Sequence, residues 1–316
     1  MTYRILVATR SFGSTSSRPW DVLEQSNCEV VRADMSEKMT EERLIGALQG
    51  VHGAIIGVLP MNARVLENAP ELKVVSMHGV GVDHIDLTAA TRRGVVIANC
   101  PGANDQSVAD LAIGLMISIA RAIPSGDRVV RGGAWGAYAG SEIWGKTLGL
   151  IGLGRIGQGV ARRALGFSMT VLGYDPYLKP AELGPGILLE SMDEVLHQAD
   201  FVSLHASLSE ETRHMIGAVQ LQSMKPTAYF INTSRGALVD EAALYAALAE
   251  KRIAGAALDV YDLEPPVDNP LLQLENVVFT PHIGAHTREA IERMGVMAAE
   301  NVLRTLAGGE PHHRVA

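Results

Sequence analysis

Thr147-Leu148-Gly149-Leu150-Ile151-Gly152-Leu153-Gly154-Arg155-Ile156-Gly157 is the stretch that decides how this chain folds. Its first five residues are a short, mostly apolar run of the kind that forms a buried strand. They lead directly into G-x-G-x-x-G, after which apolar residues recur at helical spacing at Ile156, Val160 and Ala164. A second strand-like run, 169–174, stops at Asp175. Strand, glycine turn, helix, strand and acid in this order are the signature of a dinucleotide site. Gly152 suits the tight turn, Gly154 lets backbone approach a pyrophosphate, and Gly157 lets the helix pack closely on the sheet. Free N–H groups and partial positive charge at the helix start favour a phosphate anion. Asp175, eighteen residues beyond Gly157, is placed to accept hydrogen bonds from ribose hydroxyls and to repel a 2′-phosphate. NAD is therefore expected rather than NADP. The glycines alone would read equally as an ordinary turn; the register of the flanking elements carries the reading.

On the N-terminal side, residues 3–97 alternate short apolar runs with helical patterns. Ile5-Leu6-Val7-Ala8, Glu29-Val30-Val31, Ala54-Ile55-Ile56, Val74-Val75-Ser76 and Val95-Val96-Ile97 read as strands. Helices fit at 40–48 and 62–68, with Thr40 and Asn62 as N-caps. Cys100-Pro101-Gly102-Ala103-Asn104 is a turn, followed by a helix over 105–121 that is apolar on more than one face. Residues 124–146, with Gly132, Gly133, Trp135, Tyr138 and Trp144, are expected to be irregular and to suit an interface. On the C-terminal side, strands are expected near 147–151, 169–174, 200–204, 227–231, 254–258 and 276–279. Helices are expected near 155–165, 190–197 and 240–250, the last capped by Asp240. Alternation of this kind implies parallel sheets with helices on both faces. A final helix, 287–307, repeats apolar residues at Ile291, Met294, Ala298, Val302 and Leu306. It is long enough to return to the first domain, and the tail 308–316 is expected to be loose.

Bulk properties narrow the function classes. A length of 316 residues suggests two domains. The net charge of −8, with acids and bases interspersed, speaks against nucleic acid as a main partner and offers no basic face to a membrane. Cys28 and Cys100 are far apart and lack metal-ligand spacing, so both are read as reduced thiols of a cytoplasmic protein, with no metal expected. The apolar N-terminal run is too short for a signal peptide. The most apolar stretch, 111–120, lies between Asp110 and Arg121 and is too short to span a bilayer.

In doubly wound sheets, ligands bind beyond the carboxyl ends of strands. Those positions hold His205-Ala206-Ser207-Leu208, Asn232-Thr233-Ser234-Arg235-Gly236, Asp259 with Glu264-Pro265-Pro266, and Pro281-His282-Ile283-Gly284. A guanidinium, a carboxylate and an imidazole are thus offered at successive strand ends. Hydride transfer to a 2-keto acid needs these types. Arg binds the carboxylate and polarises the carbonyl. His protonates the nascent alkoxide. A carboxylate beside the His keeps it protonated and oriented. Taken singly, Arg235 also reads as a surface residue, Glu264 as a solvated turn and His282 as a structural imidazole.

The chain resembles the D-isomer-specific 2-hydroxyacid dehydrogenases, which include D-3-phosphoglycerate dehydrogenases and hydroxypyruvate/glyoxylate reductases. The motifs are His78-Gly79-Val80-Gly81-Val82-Asp83-His84-Ile85-Asp86, Gly152–Gly157 with Asp175, Asn232–Gly236, Ala257-Leu258-Asp259-Val260, Glu264-Pro265-Pro266 and Pro281–Gly284. The resemblance implies an α/β fold of two doubly wound parallel-sheet domains. A Rossmann-type NAD domain, 101–285, would be inserted into a discontinuous flavodoxin-like substrate domain, 1–100 with 286–316. It implies Arg235, Glu264 and His282 as the catalytic set. It also implies a substrate carboxylate held around His78, Gly79, Val80 and Gly81 together with Arg235. Implied NAD contacts are Ser107, Gly152, Gly154, Arg155, Ile156, Gly157, Asp175, His205, Ser207, Thr212, Thr233, Ser234, Asp259, His282 and Gly284. A homodimer through the helix near 105–121 and the segment 124–146 is implied as well.

There are departures. The family often has Pro where Ser207 stands. Phosphoglycerate dehydrogenases tend to carry arginines where this chain has Ile56-Gly57 and Met77, and no Arg follows Trp135. A small unphosphorylated acid of the hydroxypyruvate or glyoxylate type is therefore expected, with D-3-phosphoglycerate as the alternative. Formate dehydrogenases of the family have Gln where Glu264 stands, which disfavours that activity. Phosphite oxidation is not excluded by the catalytic set. A corepressor-like NAD-sensing protein is the rival from another class, without a peptide-docking extension to support it. No regulatory domain is expected after Ala316.

Overall fold

The computed structural model describes residues 2–136 and 139–316; Tyr138, named above as an interface aromatic, lies outside them. The chain divides into two compact units, Met1–Asn104 with Ala285–Ala316, and Asp105–Gly284.

The first unit alternates β1 (Arg4–Ala8), α1 (Arg18–Glu24), β2 (Glu29–Arg32), α2 (Glu41–Ala47), β3 (Gly53–Ile56), α3 (Ala63–Glu67), β4 (Val74–Met77), α4 (Leu87–Arg93) and β5 (Val96–Ala98). All pairings are parallel, in the order β2-β1-β3-β4-β5. β3 and β4 are buried at every position, as strands covered on both faces must be. One face packs under Leu44, Leu48, Val65 and Leu66. The other packs under Ile291, Met294, Ala298 and Val302 of the helix Arg288–Leu306, which therefore belongs to this unit. Local chemistry starts the helices: Thr40, Asn62, Asp86 and Thr287 each accept a hydrogen bond from the backbone N–H three residues on. Such a cap stabilises by about 1 kcal/mol.

The second unit opens with α5 (Asp105–Ala120) and α6 (Ile123–Arg131). It continues through β6 (Thr147–Ile151), α7 (Arg155–Gly166), β7 (Thr170–Tyr174), β8 (Ile187–Leu189), α8 (Met192–Gln198), β9 (Phe201–Leu204), α9 (Ala218–Ser223), β10 (Tyr229–Asn232), α10 (Glu241–Ala249), β11 (Gly255–Leu258) and β12 (Val277–Phe279). Its seven-stranded parallel sheet runs β12-β11-β10-β9-β6-β7-β8. The strand order reverses between β6 and β9, which is where doubly wound sheets open a ligand crevice. α5 is buried along Val108, Ala112, Leu115 and Met116 and packs on β6 and α7 residues, so its apolar character serves a core. No single helix among the described residues is long and apolar enough to cross a membrane.

Two expectations are corrected. The region expected to be irregular from 124 begins as a helix, Ile123–Arg131, with Pro124 in its first turn and an Asp127–Arg131 pair one turn apart. The tail is not loose. The Val315 N–H donates to Ile97 O at 2.7 Å, the Ile97 N–H to Ala316 O at 2.9 Å, and the Asn99 N–H to His313 O. β5 is an edge strand, and its unpaired backbone groups recruit the tail as an antiparallel bridge.

Candidate active site

The glycine turn follows from packing. Gly152 has φ +94°, and a Cβ there would lie 2.6 Å from the carbonyl carbon of His205, so only glycine lets the ends of β6 and β9 meet. A Cβ on Gly157 would lie 2.2 Å from Gly152 O. Around Gly154, by contrast, a Cβ would meet nothing within 4 Å. Gly154 is also the N-cap of the twelve-residue α7 and offers no side-chain cap, leaving its first N–H groups for a ligand. Asp175 Oδ2 accepts the Leu153 N–H at 2.9 Å and Oδ1 the Tyr177 N–H at 3.0 Å. Its carboxylate thus braces the glycine turn, and each oxygen keeps a lone pair.

The other residues expected at the cofactor fall as follows. Arg155 and Ile156 form the first turn of α7. Ser107 is buried in the first turn of α5. His205 follows β9, its Nε2 2.9 Å from Ser203 Oγ, and burial pushes its pKa down to about 4. Thr212 Oγ1 donates to Ser207 O at 2.8 Å and accepts the Ser209 N–H, shaping the loop after β9. Ser234 Oγ donates to Leu204 O at 2.7 Å, tying β10 to β9. Thr233 Oγ1 is buried without a hydrogen-bond partner among the described residues. The open space at Gly154, the uncapped helix start and this orphaned hydroxyl fit a dinucleotide.

The catalytic candidates sit beyond three adjacent strands, β10, β11 and β12, whose parallel pairing brings their carboxyl ends together. Asn232 holds the Arg235 turn: its Nδ2 donates to Arg235 O at 2.8 Å and its Oδ1 accepts the Ser234 N–H at 3.0 Å. Gly236 then presses on the next loop, since a Cβ there would fall 1.9 Å from the Tyr261 carbonyl carbon. Glu264 Oε1 accepts the Tyr261 N–H at 3.2 Å, and Oε2 lies 2.7 Å from His282 Nδ1. Partial burial pushes the Glu264 pKa up. The His282 hydrogen bond and charge, the Tyr261 N–H and the Arg235 charge outweigh that and hold it below the usual range. Nδ1 is committed to Glu264, which leaves Nε2 as the ring nitrogen available to a ligand.

His282 itself adopts φ +52°, a left-handed conformation rare outside glycine. Asp259 imposes it. Its carbonyl accepts the His282 N–H at 2.8 Å, Oδ1 accepts Thr280 Oγ1 at 2.6 Å and the Ile283 N–H at 2.8 Å, and Oδ2 accepts the Gly284 N–H at 2.8 Å. These bonds offset a backbone cost of order 1 kcal/mol. Tyr261 adds its hydroxyl to Thr280 O at 2.9 Å. Sequence reasoning assigns no separate role to Asn232, Gly236, Tyr261 or Thr280. Asn232 and Gly236 flank Arg235 inside its motif, and that adjacency is the available signal.

In the first unit, the His78–Gly81 stretch follows β4. The His78 ring is buried, its Nδ1 3.2 Å from Ser11 Oγ and its edge against Phe12, and burial pushes its pKa down to about 4. The imidazole is therefore a neutral wall. Gly79 O accepts the Cys100 N–H and Val80 O accepts Asn99 Nδ2, both at 2.8 Å. In trans peptides N–H opposes C=O, so the Val80 and Gly81 N–H groups point away from those anchors. Among the described residues, no group of three or more His, Cys, Asp or Glu side chains could hold a metal ion.

Fold and site together define a dinucleotide-binding α/β protein with a paired imidazole and carboxylate at its strand ends. Residues 113–284 match the family described as D-isomer specific 2-hydroxyacid dehydrogenase, NAD binding domain. A glyoxylate reductase of Korarchaeum cryptofilum is 45% identical over 272 residues, 83% of this chain and 82% of that protein. A D-3-phosphoglycerate dehydrogenase of Methanocaldococcus jannaschii is 43% identical over 286 residues, 89% of this chain but 54% of that protein, so the chain spans about half its length. The crystal structure of an NADPH-dependent glyoxylate/hydroxypyruvate reductase of Sinorhizobium meliloti, with NADP and malonate, superposes with a TM-score of 0.87 at 30% identity, covering 100% of this chain and 97% of that one. The chain belongs to the D-isomer-specific 2-hydroxyacid dehydrogenase family, and its cofactor is NAD.

Proposed function

We propose that the protein is an NAD-dependent oxidoreductase acting on the CH–OH group of a small 2-hydroxy acid, of the hydroxypyruvate or glyoxylate type. The observation that carries this reading is the 2.7 Å contact between His282 and Glu264, with the Arg235 charge acting on the same carboxylate. NADH held at the α7 N-terminus would supply the hydride to the keto carbon. His282 Nε2 gives a proton to the carbonyl oxygen, Glu264 stabilises the protonated ring, and Arg235 holds the keto acid and polarises its carbonyl. The backbone N–H groups of Val80 and Gly81 are assigned to the substrate carboxylate. Ser107, Thr233 and Gly284 are assigned to the cofactor with the α7 N-terminus. Without arginine at 56, 57 or 77, a substrate phosphate lacks partners there, which supports an unphosphorylated acid.

Rates of NADH and NADPH oxidation with glyoxylate, hydroxypyruvate, pyruvate and 3-phosphohydroxypyruvate test the reading. Turnover is expected with NADH and one of the first two acids. Tight NADH binding with no turnover on any acid would overturn it, and preference for the phosphorylated acid would overturn the substrate class. Asp175 argues for NADH over NADPH, and Asp175→Ala is expected to narrow that preference. We further assign a homodimer to the α5–α6 region, where Ile123, Val130, Trp135 and Trp144 are exposed; sedimentation of Val130→Glu checks it.

A further inference from the structure

An open cavity lies in the first unit, beyond the carboxyl ends of β1 and β2; Phe12, which lines it, also packs its ring against His78. The cavity volume is about 300 Å³, at the lower end of small-molecule sites. Phe12, Val7 and Met35 line it with apolar surface, while Arg10, Arg32 and Trp20 bring two cations and an indole. The Arg32 guanidinium stacks 3.8 Å from the Trp20 ring centroid. Trp20 is also packed on Gly13, where a Cβ would fall 2.0 Å from the indole nitrogen, and meets Phe12 edge to face. The guanidinium thus lies over a supported indole and makes no ion pair among the described residues. Arg10 donates through Nε to Met35 O at 2.8 Å, and its Nη2 reaches the same carbonyl.

Neither arginine forms an ion pair among the described residues, unlike Arg4, Arg18, Arg43, Arg64 and Arg92 of the same unit. The nearby acids are engaged elsewhere: Asp34 with the Ser36 N–H and Arg43, Asp21 with Ser17 Oγ. Among the described residues no carboxylate lines the cavity. Two unpaired cations facing one apolar hollow, in a protein of net charge −8, leave a local positive potential that nothing in the fold uses. We propose that Arg32, Arg10 and Trp20 form a binding site for a small organic anion. An oxyanion group would lie on the Arg32 fork and a short apolar body against Phe12 and Met35. The cavity lining contains none of Arg235, Glu264 and His282.

Trp20 offers a local readout. In the full-length Trp135→Phe/Trp144→Phe variant it is the sole indole, because the chain has three tryptophans. Its emission is titrated with butyrate and with inorganic phosphate at constant ionic strength. A saturable change is expected, weakened at least tenfold by Arg32→Gln and partly restored by Arg32→Lys. Response to butyrate alone identifies an organic carboxylate. Response to phosphate alone overturns the apolar-body assignment. No saturable response, or one unchanged in Arg32→Gln, overturns the site. Thermal unfolding of the native-tryptophan protein checks the site without the double variant: butyrate should raise the midpoint, and Arg32→Gln should abolish that rise. An equal rise in both proteins would overturn the site as well.

Discussion

The two sheets share an architecture and differ in what their strand ends hold. Beyond β10, β11 and β12, charged side chains are collected: Arg235, Glu264 and His282 act on one another, and Asp259 organises the loop beneath them. Beyond β4 of the other sheet there is backbone. Gly79 and Val80 have their carbonyls anchored, and the nearby imidazole of His78 is buried and neutral. Parallel sheets open ligand sites at the same edge, but chemistry depends on the residues placed there. One edge gathers titratable side chains in contact; the other presents backbone beside a buried, neutral imidazole.

The sharpest way to break this contrast is to remove the charged set. His282→Ala and Arg235→Gln are each expected to lower kcat/KM for keto-acid reduction by about 10²–10⁴-fold, the range for general acid–base and electrostatic contributions. NADH binding, followed by its fluorescence, should stay near that of the parent. Near-normal turnover in both variants would erase the distinction between the two edges.

A smaller effect sharpens it. The Glu264 pKa is held below its usual range by the His282 hydrogen bond and nearby charges, so this carboxylate is ionised at neutral pH. Its contribution to stability is complete above the unfolded value and is lost as pH falls through the folded one. In Glu264→Gln, kcat/KM for keto-acid reduction should fall by less than in His282→Ala, while NADH binding stays near that of the parent. Unchanged kcat/KM would leave Glu264 with a structural role only.

The smallest effect compares the two buried imidazoles. Burial lowers both His78 and His205 to about 4 from 6.5. The unfolded chain then takes up protons first, so stability is whole above the unfolded value and falls as pH drops from 6.5 toward 4. The slope is about 1.4 kcal/mol per pH unit for each ring at most. Thermal unfolding of His78→Gln and of His205→Gln between those limits should each show a shallower decline than the parent. Parallel declines would show that neither ring carries the acid sensitivity.

Much of this architecture is legible in the chain itself. Apolar runs and helical spacing mark the strands, Thr40, Asn62 and Asp240 declare helix starts, and Gly152, Gly154, Gly157 and Asp175 announce the dinucleotide turn. These are local signals, because side-chain period, cap chemistry and glycine's missing Cβ act within a few residues. The α6 helix is obscured by the glycines and aromatics that follow it, although Pro124 and the Asp127–Arg131 pair are present.

Sequence by itself marked most strands and helices, though not α6, β8 or α9, together with the glycine turn and the types of group available at each strand end. Tertiary structure alone decided that Glu264 takes His282 Nδ1, that Asp259 commits its carboxylate to the 280–284 loop, and that the tail completes the β5 edge. Those outcomes depend on which strands become neighbours. Hydrogen bonds between residues far apart in the chain form only after the sheet has brought their strand ends together.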